Sequence, residues 1–169
     1  GKLSEVTPMD WLGWRDGQRH VQKLVRTGVD FPANDDELKI EPYILGVLIG
    51  DGSLSYGTRV SKPDVEIATA LQEEATRRGL HCRVITKGRC PEIRITGNGR
   101  VGNNSLLEDL RFYGLCVPSG EKSIPQCYLV SNKDSRLQLL AGLLDTDGHC
   151  SHGGFDYISK SQRLTEGVV

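Results

Sequence analysis

The chain has 169 residues, 21 Lys plus Arg against 22 Asp plus Glu, a formal net charge of −1, and 37% hydrophobic residues before its 20 glycines are added. That is globular usage at the length of one ordinary domain, which excludes a disordered, collagenous or coiled-coil chain. The longest apolar stretches, Tyr43–Ile49 and Leu137–Leu144, fall far short of the roughly 20 residues that span a bilayer. No N-terminal segment joins a basic start to an apolar core, so the expectation is a cytoplasmic protein with no membrane partner. Five cysteines at irregular spacing, with no C-x-x-C, are read as reduced and mostly buried thiols rather than disulfides or zinc ligands. The charge is uneven: residues 30–41 sum to −4 and residues 81–104 to +4.

Residues 1–40 read as an extension of low regularity, with Trp11 and Trp14 anchoring a short turn. From Glu41 the character changes. Pro42 suits a first helical position, and the nearly all-apolar Tyr43-Ile-Leu-Gly-Val-Leu-Ile-Gly50 follows. Gly52–Ser61 predicts two short strands turning near Tyr56-Gly57. A helix is expected from Ser61-Lys-Pro63 to about Arg78, its inner face carrying Val65, Ala68, Leu71 and Ala75, with Gly79 closing it. His81–Thr86 and Pro91–Thr96 read as strands; in the second, Ile93 and Ile95 alternate with Glu92, Arg94 and Thr96, the pattern of a half-buried antiparallel strand. Asn103-Asn104-Ser105 caps a helix to about Tyr113, and a short helix is expected near Ile124–Leu129. The apolar helix Asp134–Asp145, a strand pair in Gly148–Ser159 and a last helix from Ser161 complete the order.

That order repeats. Ile44-Leu-Gly-Val-Leu-Ile-Gly-Asp-Gly52 aligns with Leu140-Ala-Gly-Leu-Leu-Asp-Thr-Asp-Gly148 at an offset of 96, placing Gly46 over Gly142, Asp51 over Asp147 and Gly52 over Gly148. Glycine inside a helix costs roughly 1 kcal/mol against alanine. Small residues four apart (Gly46 and Gly50, Gly142 and Thr146) let two backbones approach closely, so the two segments are read as buried helices packed against each other. A carboxylate at a helix C-terminus faces the negative end of the macrodipole, and two together repel. A divalent cation offsets both effects, and hard oxygen ligands suit Mg²⁺.

These residues resemble the two signature motifs of the LAGLIDADG homing endonucleases; Leu140–Gly148 departs from the nine-letter name at two positions. Glu41–Gly52, and Lys122-Ser-Ile-Pro125 followed by Tyr128-Leu129, are similar to the versions found in endonuclease domains inside inteins. The resemblance covers residues 38–169. It implies an α+β fold of αββαββα halves with a saddle-shaped antiparallel sheet set in the DNA major groove. Residues 41–130 would be the first half, 131–169 the truncated start of a pseudo-symmetric second, and 1–40 an extension or linker from a splicing domain. It implies site-specific, double-strand cleavage of DNA by metal-activated water.

Two or more Mg²⁺ ions would lie between the last acids of the motifs, Asp51 and Asp147, aided by the backbone carbonyls of Gly50 and Thr146. Asp145 aligns with Gly50 and is read as structural. Lys122 matches a lysine that would stabilise phosphate charge or polarise water. Phosphodiester hydrolysis needs charge stabilisation on both entering and leaving oxygens, which metals between two carboxylates provide. Arg59, Lys62, Arg83, Lys87, Arg89, Arg94 and Arg100 are the candidate contacts to double-stranded DNA.

Only 22 residues follow Asp147, too few to complete a second sheet, so the expectation is a fragment or a chain complemented by a C-terminal fragment or the rest of an intein. With Gly1 and Val169 at its ends, the chain is not expected to splice itself. Gly97-Asn-Gly-Arg-Val-Gly102 matches G-x-G-x-x-G after a strand and before a helix, but the alternating strand before it and the short, Pro-containing Leu115-Cys-Val-Pro118 after it disfavour a dinucleotide site. A non-cleaving, maturase-like or degenerate nucleic-acid-binding module is the standing alternative. His149 and His152 are read as groove-facing polar residues rather than ligands.

Overall fold

A computed structural model of the protein describes residues 6–22, 28–32, 35–61, 64–86, 90–99 and 103–168. The chain begins with two short helices, α1 (Pro8–Gly13) and α2 (Asp16–Val21), neither of which buries a residue. Trp11 and Trp14 stack with centroids 5.4 Å apart at the end of α1. Helix α3 (Pro42–Asp51) starts as the sequence predicts: Pro42 is its first residue and the Glu41 side chain caps it, accepting from the Ile44 N–H at 2.9 Å. Strands β1 (Gly52–Ser53) and β2 (Thr58–Ser61) come next, then α4 (Val65–Arg77), β3 (His81–Ile85), β4 (Glu92–Thr96) and α5 (Ser105–Phe112). The run from α3 to α5 is αββαββα. Its strands form one antiparallel sheet in the order β1-β2-β4-β3.

After the short α6 (Gln126–Leu129), α7 (Lys133–Asp147) is capped by Asn132, whose side chain accepts from Ser135 N–H at 2.9 Å. A hairpin of β5 (Gly148–Ser151) and β6 (Gly154–Tyr157) and then α8 (Gln162–Val168) follow, so the element order begins again. The architecture is α+β. Among the described residues no helix is long and apolar enough to cross a membrane.

Helices α3 and α7 make the most extensive contact between elements. A Cβ on Gly46 would stand 2.3 Å from the Leu139 carbonyl oxygen and 2.9 Å from the Leu143 nitrogen; one on Gly142 would stand 2.2 Å from the Tyr43 oxygen and 2.9 Å from the Val47 nitrogen. Each pair is the other shifted by 96 residues, so the contact has an internal two-fold relation. Gly50 faces Thr146 four residues further along both helices, which therefore run in the same direction.

The sheet lies on α3 through one face. Thr58, Val60, Ile93 and Ile95 are buried while Arg59 and Arg94, between them, point outward. Ile67, Leu71 and Ala75 of α4 and Leu106 and Leu110 of α5 complete the core. The segment before α3 is sewn in by two tyrosines. The buried Tyr128 hydroxyl accepts from Ile40 N–H at 3.1 Å and donates to Ile40 C=O at 2.6 Å, and Tyr113 does likewise to Lys39 N–H and Glu37 C=O at 2.9 and 3.2 Å.

Four expectations need correction. Helix α4 begins at Val65 rather than Ser61, because Ser61 is the last residue of β2 and pairs with Glu92. Its inner face is Ile67, Leu71, Glu74 and Ala75, with Val65 72% exposed; Glu74 is tolerated inside because Arg77 and Arg78 both bond its carboxylate, and Arg78 also bonds Asp109 of α5. The cysteines are free, but Cys90 and Cys150 are exposed and the other three half-buried: Cys82 on β3, Cys116 in a connection and Cys127 in the short α6 pack against the margin of the core rather than inside it. Finally, α3 is buried from Ile44 to Ile49, but α7 buries a single stripe, Ser135, Leu139, Gly142, Leu143 and Thr146. Where α3 has Leu45 and Ile49, α7 has Ala141 and Asp145, both exposed.

Candidate metal and nucleic-acid site

Two helices that run in the same direction present their C-termini together, and each of these ends in Asp-Gly. Directly after the acid each chain turns from helix to strand at a glycine. A Cβ on Gly52 would stand 2.1 Å from the Leu48 carbonyl oxygen, and one on Gly148 would stand 2.4 Å from that of Leu144. Only glycine lets the backbone leave the helix so sharply, and the turn leaves Asp51 and Asp147 at the foot of the seam, each half-buried. The helices stay close to the end: a Cβ on Gly50 would meet Thr146 Oγ1 at 2.0 Å, while that hydroxyl turns back to donate to the Gly142 and Leu143 carbonyls at 3.0 and 2.9 Å.

Lys122 sits in the same place. It is 2% exposed, and its Nζ donates to the carbonyls of Ile49 and Gly52, both at 2.6 Å, with Leu48 and Gly50 at 3.3 and 3.5 Å. These include carbonyls at the end of α3 that have no partner within the helix, and a cation there also complements the helix dipole. Burial pulls the Lys122 ammonium down to about 8, against the opposing pull of Asp147 and Asp51, so both acids bear on one buried ammonium. The Lys122 backbone is fixed in turn by Ser161, buried at the start of α8, which donates to the Lys122 carbonyl at 2.5 Å and accepts from Leu164 N–H.

A cleft of about 360 Å³ opens beside Gly50 and Asp147, with Ser119, Ser159 and Lys160 on its walls. Tyr157 is also close; burial and then Asp147 push its phenol up to about 12. Among the described residues no three His, Cys, Asp or Glu side chains form a ready metal cage. The donor set is two carboxylates and backbone carbonyls, all hard oxygens, which suits a cation such as Mg²⁺ that keeps water and takes further oxygens from a phosphate.

The structure puts Asp51, Asp147, Gly50 and Thr146 at the adjoining ends of α3 and α7, with Lys122 on the carbonyls of the α3 end. Asp145 is set apart, accepting from the Tyr43 hydroxyl at 2.9 Å; burial and then this bond push that phenol up to about 12. Arg59, Arg83 and Arg94 share the outer sheet face: Arg94 is the register partner of both the other two. Glu92, on the same face, pairs with Arg94. Lys62, Lys87, Arg89 and Arg100 lie outside the described residues. His149 and His152 are exposed on the β5–β6 hairpin. Sequence reasoning missed Ser161, Tyr128 and Tyr157; the Ser at a helix start was a visible cap signal, but its bond to Lys122 is a long-range contact with no local signature.

No family model matches the chain. A replicative DNA helicase DnaB from Mycobacterium intracellulare is similar, 33% identical over 137 residues, which is 80% of this chain. The chain spans 19% of the length of that protein.

Proposed function

We propose that this chain is a DNA endonuclease of the LAGLIDADG homing type, as embedded in inteins, and that it hydrolyses phosphodiester bonds in double-stranded DNA with Mg²⁺. The observation that carries the reading is a two-fold helix seam whose two helices each end in an acid, Asp51 and Asp147, with Lys122 buried on the carbonyls at the end of α3 and both acids acting on its charge. The αββαββα order, the second αββα start, and an arginine-bearing outer sheet face support the same reading. The similar helicase bears on the setting: a match confined to a fifth of a longer protein suits a domain carried inside a host. The helicase name itself transfers poorly, because the chain holds no G-x-x-x-x-G-K-[ST] phosphate loop.

In this reading Asp51 and Asp147, with the Gly50 and Thr146 carbonyls, would hold the metal, which when bound would activate water and neutralise charge at the scissile phosphate. Lys122 sets the end of α3, and with it the position of Asp51, and brings positive charge towards the phosphate from behind the carboxylates. The outer sheet face binds the duplex.

The test is metal binding followed by cleavage. Mg²⁺ or Ca²⁺ is expected to raise the thermal stability of the chain, by roughly 2.7 kcal/mol at a hundredfold excess over Kd. Asp51→Asn and Asp147→Asn each abolish that response. With a pool of duplex targets, Mg²⁺ is expected to give double-strand cuts that both variants lose. Duplex binding with no cleavage would instead support the non-cleaving module, and a chain indifferent to metal and DNA alike would sink the proposal.

A further inference from the structure

The outer face of the sheet carries a row of like charges. Register pairs Ser53 with Arg59, Arg59 with Arg94, and Arg94 with Arg83, so three arginines stand abreast on neighbouring strands in the order β2, β4, β3. Neighbouring strands lie about 4.8 Å apart. Like charges directly opposite each other destabilise a sheet. Among the described residues one carboxylate, Glu92, is paired with this row, through Arg94.

The three arginines are not equivalent. Arg59 and Arg94 sit on β2 and β4, the inner strands, directly opposite each other, and each is half-buried between core-facing neighbours. Arg83 is on the edge strand β3 and exposed. The major groove is about 12 Å wide and admits a two-stranded ribbon. A ribbon of β2 and β4 seated there puts Arg59 and Arg94 at the base edges and Arg83, one strand further out, at the groove wall where the phosphates run. An arginine fork fits the O6 and N7 acceptors of guanine, and Glu92 holds the Arg94 fork in one orientation before contact.

We infer that Arg59 and Arg94 read guanines on nearby base pairs of the duplex, and that Arg83 holds the backbone. This rests on the DNA-binding reading above and adds to it which bases the sheet selects.

The experiment is selection of the 169-residue chain against duplexes with a randomised core, in Ca²⁺, followed by affinities of the wild type and single variants for selected and unselected duplexes. The wild type is expected to enrich guanine at two nearby positions. Arg59→Ala and Arg94→Ala each lower affinity for the selected site roughly 10- to 100-fold, leave unselected duplex little changed, and lose the preference at one position each. Lysine at either place restores charge without the fork and does not restore the preference. Arg83→Ala weakens both duplexes by the same factor and lowers the salt dependence by about one unit. Thermal unfolding of every variant identifies any that misfolds, and the Lys variants then decide. DNA binding without guanine enrichment, or Arg59→Ala and Arg94→Ala weakening both duplexes equally, overturns this inference alone. A well-folded wild-type chain that binds no duplex overturns the DNA reading with it.

Discussion

Helices α3 and α7 carry the same signature and meet at equivalent glycines, yet α3 is enclosed on every side while α7 leaves its outer face open. The sheet of the first repeat accounts for the difference: β1 to β4 with α4 and α5 wrap α3, whereas the second repeat sets only a two-stranded hairpin and α8 beside α7. Leu137 is 51% exposed, and an apolar groove of about 370 Å³ runs beside it along Leu140 and Leu143 to Val29. Residues at the seam are therefore held by their partner helix, and residues away from it by whatever layer covers them. Equivalent positions need not have equal worth.

Truncating equivalent leucines breaks the comparison most severely. Leu48→Ala, in a position with no exposure, is expected to cost about 2–5 kcal/mol, and its counterpart Leu144→Ala well under that, both read from urea midpoints. At the seam the two repeats should behave alike. Gly46→Ala and Gly142→Ala each force a Cβ against a backbone oxygen and should cost about 1–3 kcal/mol or more. The double variant should cost less than the two singles together, since one widening of the seam relieves both; strict additivity would mean that the contact is not shared.

Tyr128→Phe tests what lies behind α3. It leaves the buried Ile40 amide and carbonyl without their partner and is expected to cost about 1–3 kcal/mol.

Lys122 offers a pH test of the metal-free chain. Its ammonium is held down to about 8 when folded, so between about pH 8 and 10 the unfolded state binds more protons and this residue makes stability rise with pH. Above about pH 10 the slope reverses, because Tyr43 and Tyr157, at about 12 when folded, keep protons that the unfolded chain gives up. Lys122→Met should remove the rise and keep the fall. The smallest effect is expected at Leu137→Glu, within about 0.5 kcal/mol; a large loss there would show that the outer face of α7 is covered in solution.

Much of this was legible because it is local. The Pro42 and Asn104 starts and the alternation of β4 each follow from the composition of one short stretch, and the repeat from laying two such stretches side by side. The acids could be placed together because paired glycines in apolar helices leave few other arrangements. Lys122 illustrates what stays hidden: a lysine in a loop looks solvated until the carbonyls it serves, some 70 residues earlier, are seen around it. The open face of α7 was visible in principle, since Ala141 and Asp145 stand where α3 has Leu45 and Ile49, but the motif's likeness concealed the difference.

The Tyr128 clasp on Ile40 also orders events in time. It joins residues 88 apart and closes the first repeat with elements that all precede α7. A ribosome that has released residue 129 has released everything from α3 to α6, and domains assemble from the N-terminus as they emerge. What remains uncovered at that moment is the stripe of α3 around Gly46. Helix α7 then arrives as a docking event on a finished surface, and until it does, that stripe is where a nascent chain would associate with a neighbour of its own kind.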